Sequence, residues 1–332
     1  MSVEPAAAPA GVPLMEARDL AVHFRAHGTT ARAVDGVSLD WRRGEILGVV
    51  GESGCGKSTL ARALLGLLPR TAGAVTRDGT SVDGKSALRE LRRHVQMIFQ
   101  DPYQTLNPRQ RVRTIVAEPL RVQGVAGDDH DEGVRRALED VGLEPERFLE
   151  RYPHQLSGGQ RQRVAIAAAL VLEPDGLICD EPVSMLDVSV RAQILHVLME
   201  LRRRRNLALL FITHDLSLAW SICDRLAVMY LGRIVEQGSA IDVIERPQHP
   251  YTQALVEAVP VPAAGAEVRR VPLKGELPDA TNVPSGCRFH PRCPKRFEPC
   301  DQVDPPLLTT SVPGQLAACL LHDPALAPDA VA

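Results

Sequence analysis

Apolar positions in the first 260 residues follow two spacings that take turns along the chain. Leu14 to Phe24 and Ala31 to Trp41 read as two paired strands around a Gly28-Thr29-Thr30 turn. Ile46 to Val50 is a short apolar run that leads through a glycine-rich loop into a helical pattern, Ser58 to Leu68. Val95 to Phe99 is a further candidate strand. Asp131 to Val141 carries apolar residues at 134, 138 and 141, the spacing of one helix face. Leu177 to Cys179 and Leu207 to Thr213 read as buried strands, with a helix from Ser189 to Arg203 between them. Strands separated by helices predict an α/β fold whose parallel sheet is covered on both faces.

Composition changes this picture near residue 260. Of 26 prolines, 13 fall in the last 73 residues, which predicts an irregular, loop-rich appendage over 260–332. At the other end, Met1 to Pro13 is rich in Ala and Pro and lacks the basic and apolar regions of a signal peptide, so a disordered tail is expected. No apolar run approaches the roughly 20 residues that span a bilayer. A membrane role would therefore act through partner chains, from a cytoplasmic protein. The net charge of -3 gives no general attraction to nucleic acid. Arg202 to Arg205 end a helical stretch and read as a solvated face. The lone histidines His94, His154 and His196 carry no functional pattern.

Two segments carry phosphate chemistry. Gly51-Glu52-Ser53-Gly54-Cys55-Gly56-Lys57-Ser58-Thr59 matches the P-loop pattern GxxxxGK(S/T), with a buried strand before it and a helix after it. The glycines let successive backbone N–H groups face phosphate oxygens, and the helix N-terminus adds partial positive charge. Lys57 would place its charge on the β- and γ-phosphates, and Ser58 its hydroxyl on Mg²⁺. Leu177-Ile178-Cys179-Asp180-Glu181 delivers two acids to a strand end. Asp180 is suited to reach Mg²⁺ and Glu181 to polarise an attacking water.

Leu156-Ser157-Gly158-Gly159-Gln160 is the signature of ATP-binding-cassette (ABC) ATPases, and a helical stretch from Gln160 to Leu172 follows it. The chain resembles that family over nearly its whole length. The resemblance implies a cassette over 14–259, with a parallel sheet core, an antiparallel β subdomain and a helical signature subdomain at about 101–172. It implies two cassettes packed head to tail, with each ATP and its Mg²⁺ between one P-loop and the opposite signature. Gln100 then corresponds to the Q-loop glutamine, a Mg²⁺ and catalytic-site contact. His214, after the strand ending at Thr213, corresponds to the switch histidine. Asp187 lies in Met185-Leu186-Asp187, which resembles the D-loop although the family often has Ser and Ala where Met185 and Leu186 stand. An aromatic residue upstream of the P-loop should stack on adenine; Phe24 is the candidate and Trp41 its rival.

Gln100 to Arg109, Arg151-Tyr152-Pro153-His154-Gln155 and His249-Pro250-Tyr251-Thr252-Gln253-Ala254-Leu255 are similar to segments of oligopeptide and dipeptide importers, in particular their F-type ATPase subunit. Nickel and other small-solute importers share them. The resemblance implies two transmembrane permease subunits, a homologous D-type ATPase partner or a second copy, and an extracytoplasmic binding protein acting indirectly. The chain would then lie at the cytoplasmic face of the membrane as a peripheral subunit. A soluble ABC ATPase is the rival, but Lys57 and Ser157 are 100 residues apart with no heptad run between, and one nucleotide unit is present. Cys287, Cys293, Cys300 and Cys319 are spaced C-x5-C-x6-C-x18-C, unlike the C-x2-C pairs of common zinc fingers. Four thiolates can hold zinc or an iron–sulfur cluster. Similar importer tails are associated with a 4Fe–4S cluster, which would tie the tail down. Zinc, free thiols and disulfides remain open on the residues alone.

Overall fold

The computed structural model describes residues 11–26, 28–101, 105–125, 127, 130–258 and 275–328. Most of the expected N-terminal tail lies outside these residues, as do 102–104 of the importer-like segment and 260–274 and 329–332 of the appendage.

Strands β1 (Met15–Ala26) and β2 (Thr29–Trp41) form an antiparallel hairpin. Thr29 and Thr30 belong to β2 rather than to the expected Gly-Thr-Thr turn. Strand β3 (Ile46–Val50) leaves for a second sheet, while β4 (Ala72–Arg77) and β5 (Thr80–Ser81) complete the first in the order β2-β1-β4-β5. The second sheet adds β6 (Val95–Ile98), β7 (Gly176–Asp180), β8 (Ala208–Thr213), β9 (Arg225–Tyr230), β10 (Arg233–Ser239), β11 (Leu308–Thr309) and β12 (Leu316–Ala317). Its order is β11-β12-β10-β9-β3-β8-β7-β6. The run from β9 to β6 is parallel, and β10, β12 and β11 pair antiparallel at one edge.

Every residue of β3, β7 and β8 is buried, which explains why these strands read as continuous apolar runs rather than alternations. The register aligns their ends: Val50 pairs with Thr213 and Val228, Asp180 with Ile212, and Ile98 with Cys179. The loops beginning at Gly51, Phe99, Glu181 and His214 therefore all leave from the C-terminal edge, where ligands bind in open α/β sheets. Helices Val112–Gln123, His130–Asp140 and Gly158–Leu170 pack on one another to form a helical unit.

The appendage adds to the sheet. It is irregular for most of its length, yet β11 and β12 extend the central sheet along β10. Two-residue strands carry no alternation for a sequence to display; the open edge of β10 recruits them. Phe289 is buried and meets Tyr230 edge-on with ring centroids 5.3 Å apart, and Tyr251 at 5.4 Å. Arg288 donates to the Leu231 carbonyl at 2.6 Å and pairs with Asp35. The Gln315 side chain donates to buried Glu236, and the Ala318 N–H donates to the Val235 carbonyl at 2.7 Å.

Candidate active site

The first loop at this edge is the P-loop. A Cβ at Gly56, where φ is 111°, would sit 2.1 Å from the Ala33 carbonyl oxygen. One at Gly51 would sit 2.1 Å from that of Met229, so both positions demand glycine. The curl closes on Lys57, whose ammonium donates to the Gly51 and Glu52 carbonyls at 2.8 and 2.9 Å. A cation is thus stored inside the loop, at the start of helix Lys57–Leu64, where helix polarity also favours an anion. Ser53 and Gly54 are exposed, while Cys55 is buried. Burial pushes the Cys55 thiol up, so Cys55 offers a ligand its backbone rather than a thiolate. Ser58 and Thr59 follow on the helix, half-buried.

The second layer meets it. Ser58 Oγ donates to Asp180 Oδ1 at 2.9 Å, which joins the P-loop helix to the end of β7. Burial raises the Asp180 carboxyl above its ordinary value, against the opposing Ser58 bond and nearby Arg62 and Lys57. A Mg²⁺ ion here would be held by Ser58 and Asp180. Glu181 sits at φ 46°, in the left-handed region that non-glycine residues seldom adopt. Its carboxylate lies between Gln100 Nε2, 3.2 Å from one oxygen, and His214 Nδ1, 3.1 Å from the other. The fold thus assembles Gln100, Glu181 and His214 from three separate strand ends.

The signature forms a different unit. Ser157 caps helix Gly158–Leu170: its Oγ accepts from the Gln160 N–H at 3.3 Å, and Gln160 Oε1 accepts from the Ser157 N–H at 3.0 Å. A Cβ at Gly159 would lie 2.5 Å from Val190, so this glycine lets the helix start approach helix Val188–Arg205. Asp187 caps that second helix, accepting from the Val190 N–H at 3.0 Å, and this bond lowers its pKa. Signature and D-loop thus lie side by side. Met185 and Val188, beside Asp187, are among the most exposed large apolar residues described.

The aromatic candidates separate cleanly. Trp41 is fully buried, with its ring against Gly176, and cannot face a ligand. Phe24 is 44% exposed on β1 and is free to stack.

The four tail cysteines are free and line one narrow cavity with His249, Phe289, His290 and Phe297. Among the described residues, however, no three His, Cys, Asp or Glu side chains form a metal-ion site. The expected ligand set is therefore brought near one point without being drawn together as a single-ion site. Burial raises the Cys287 thiol to about 11 and the Cys319 thiol to about 12, so both pack as small neutral groups.

Two residues that touch the P-loop are absent from the sequence-based set. Tyr251 accepts from the Glu52 N–H at 3.0 Å, and Arg292 pairs with the Glu52 carboxylate at 2.7 Å. Tyr251 stood in a segment marked as importer-like; Arg292 gave no signal.

Residues 34–184 match the ABC transporter family, and residues 235–300 match the oligopeptide/dipeptide transporter C-terminal region. The chain is 48% identical to the oligopeptide transport ATP-binding protein OppF of Salmonella typhimurium, over 89% of this chain and 92% of that one. The chain belongs to the ABC transporter family. It is an ATPase of that class. Among solved structures, cbiO1 of Clostridium perfringens, part of an ABC transporter complex, is 30% identical with a TM-score of 0.63. It covers 70% of this chain and 91% of that one. The dimeric cassette MJ0796, also solved with ADP and Pi, is 27% identical with a TM-score of 0.61, covering 68% and 98%. Among the described residues no helix is long and apolar enough to cross a membrane.

Proposed function

We propose that this ATPase energises the import of peptides, working at the cytoplasmic face of a membrane beneath two permease subunits. The observation that carries the reading is the union in one chain of an ABC transporter match and the oligopeptide/dipeptide-type C-terminal region. The likeness to OppF of Salmonella typhimurium supports peptides over nickel or other small solutes.

In this reading the P-loop residues Gly51 to Thr59 hold the phosphates, Phe24 stacks on adenine, and Ser58, Asp180 and Gln100 would hold Mg²⁺, which would offset phosphate charge. Glu181 takes a proton from the attacking water, while Gln100 and His214 hold its carboxylate in line. Ser157 to Gln160 and Asp187 serve the ATP of a facing cassette, either a homologous D-type subunit or a second copy. Their reciprocal capping supports this, because it leaves a preorganised helix N-terminus beside the exposed Met185 and Val188. The γ-phosphate would then bridge two half-sites, and its loss would reopen them. An extracytoplasmic binding protein would act through the permeases.

The finer reading of the tail is that Cys287, Cys293, Cys300 and Cys319 hold a 4Fe–4S cluster. The narrow cavity that all four line supports it. A bound cluster would supply a cross-link. Protein purified anaerobically should be brown, with about four irons per chain; colourless, iron-free protein would refute it.

The import reading is tested on the complex co-purified with its permeases. ATP hydrolysis should rise when the binding protein delivers peptides and stay flat with nickel. A mixture of Lys57→Ala chains and Ser157→Arg chains should recover some activity through one composite site. Full activity from a dilute monomer would refute the shared site.

A further inference from the structure

The phosphate loop is braced from outside by residues its own pattern does not contain. Glu52 is the sole acid in Gly51 to Thr59 and occupies a variable position of the motif. A carboxylate there repels the phosphates it helps to enclose. Arg292, on the turn His290–Arg292 of the C-terminal extension, faces it. Its two terminal nitrogens donate to the two Glu52 oxygens at 2.7 and 3.1 Å, a bidentate pair. The guanidinium side chain is only 5% exposed. It also donates to the Gly275 carbonyl at 3.2 Å and lies 5.8 Å from the centre of the Tyr230 ring.

Glu52 is held at its main chain as well. Its N–H donates to the Tyr251 hydroxyl, and its carbonyl accepts from Lys57 at 2.9 Å. The residue clamped by Arg292 is therefore the one that seats the phosphate-binding lysine. Leu277 of the extension lies in van der Waals reach of a Cβ built at Gly54, a second contact with the same loop.

We infer that Arg292 is a positioning residue for nucleotide binding, fixing the phosphate loop through Glu52 and neutralising that carboxylate. The extension is then part of the ATP site rather than a separate tail. The inference rests on the P-loop being the phosphate site, and the control below separates the two.

The test measures binding of a fluorescent ATP analogue with Mg²⁺ to the full chain. Arg292→Met should raise Kd roughly ten-fold, because it leaves the half-buried Glu52 carboxylate without its bidentate partner. Arg292→Lys keeps the charge without the fork and should fall between. Adding Glu52→Gln to Arg292→Met should recover most of the lost affinity, since the unpaired carboxylate is then gone. In turnover, KM should rise while kcat stays within about two-fold. Wild-type Kd in Arg292→Met would overturn the inference. So would a loss that Glu52→Gln does not relieve and that follows the fall in melting temperature, which would make Arg292 a tether of the extension alone. Lys57→Ala should abolish binding; if it does not, the phosphate-loop reading fails instead.

Discussion

The edge of the parallel sheet and the C-terminal extension solve the same problem by different means. At the sheet edge, position comes from fully buried strands in register, so that Val50, Asp180 and Thr213 end together and their loops converge. In the extension few apolar residues repeat, and position comes from single anchors: Phe289 among Tyr230, Tyr251 and His249, Arg288 on Leu231 and Asp35, Gln315 on Glu236. In the first arrangement the backbone ladder itself sets where each loop begins. The second depends on each anchor, because buried polar groups are expensive when a partner is missing. The two meet at Glu52, where a loop of the first kind is braced by a residue of the second.

The largest expected effect lies at the sheet edge and is chemical. Glu181→Gln should slow hydrolysis by roughly 10²–10⁴-fold, the usual contribution of a positioned general base. ATP should stay bound and the melting temperature should hardly move, as read by single-turnover assays and thermal scans. Turnover at the wild-type rate would remove Glu181 from the mechanism.

In the extension the effect should be on stability. Phe289→Ala empties an aromatic cluster and should destabilise its docking by about 3–5 kcal/mol. Limited proteolysis should then cut beyond residue 258 while the rest of the cassette stays protected. An unchanged digest would mean that the extension does not depend on single anchors.

A smaller effect should follow pH. His249 Nδ1 accepts from the Tyr251 N–H at 3.0 Å, which requires the neutral ring, and burial depresses its pKa to about 3. A group depressed on folding contributes stability that is complete above its unfolded pKa and lost as pH falls. Stability should therefore drop below about pH 6.5, by up to about 1.4 kcal/mol per pH unit. His249→Asn offers an acceptor that does not titrate, so melting curves at pH 7.5 and 5.5 should lie closer together. Equal pH sensitivity in both proteins would locate the loss elsewhere.

Smallest should be Ser157→Ala. Loss of the helix cap should lower the stability of the isolated chain by about 1 kcal/mol. Hydrolysis by assembled cassettes should suffer far more, and a matched small loss in both would deny the signature a role in the facing site.

Most of the candidate site was legible because the chemistry proposed for it needs consecutive residues. Gly51 to Thr59, Leu156 to Gln160 and Asp180-Glu181 each act within a few residues of a strand or helix end, so their spacing along the chain is their spacing in space. The helix Val188–Arg205 and strands β3, β7 and β8 were legible through long or fully apolar runs. The helices Gly84–His94 and Val112–Gln123 were not, the first being rich in Arg and the second carrying Pro119 within it.

The sequence by itself determined the sheet class, the nucleotide chemistry and the family, because local backbone geometry and burial periodicity encode them. Tertiary structure alone decided that Trp41 is core while Phe24 is exposed, since both are aromatics on one hairpin and only packing against Gly176 separates them. It also decided that two short strands complete the sheet and that Arg292 reaches Glu52 across 240 residues of chain. Such contacts join positions with no shared period, so they exist only once the chain has closed on itself.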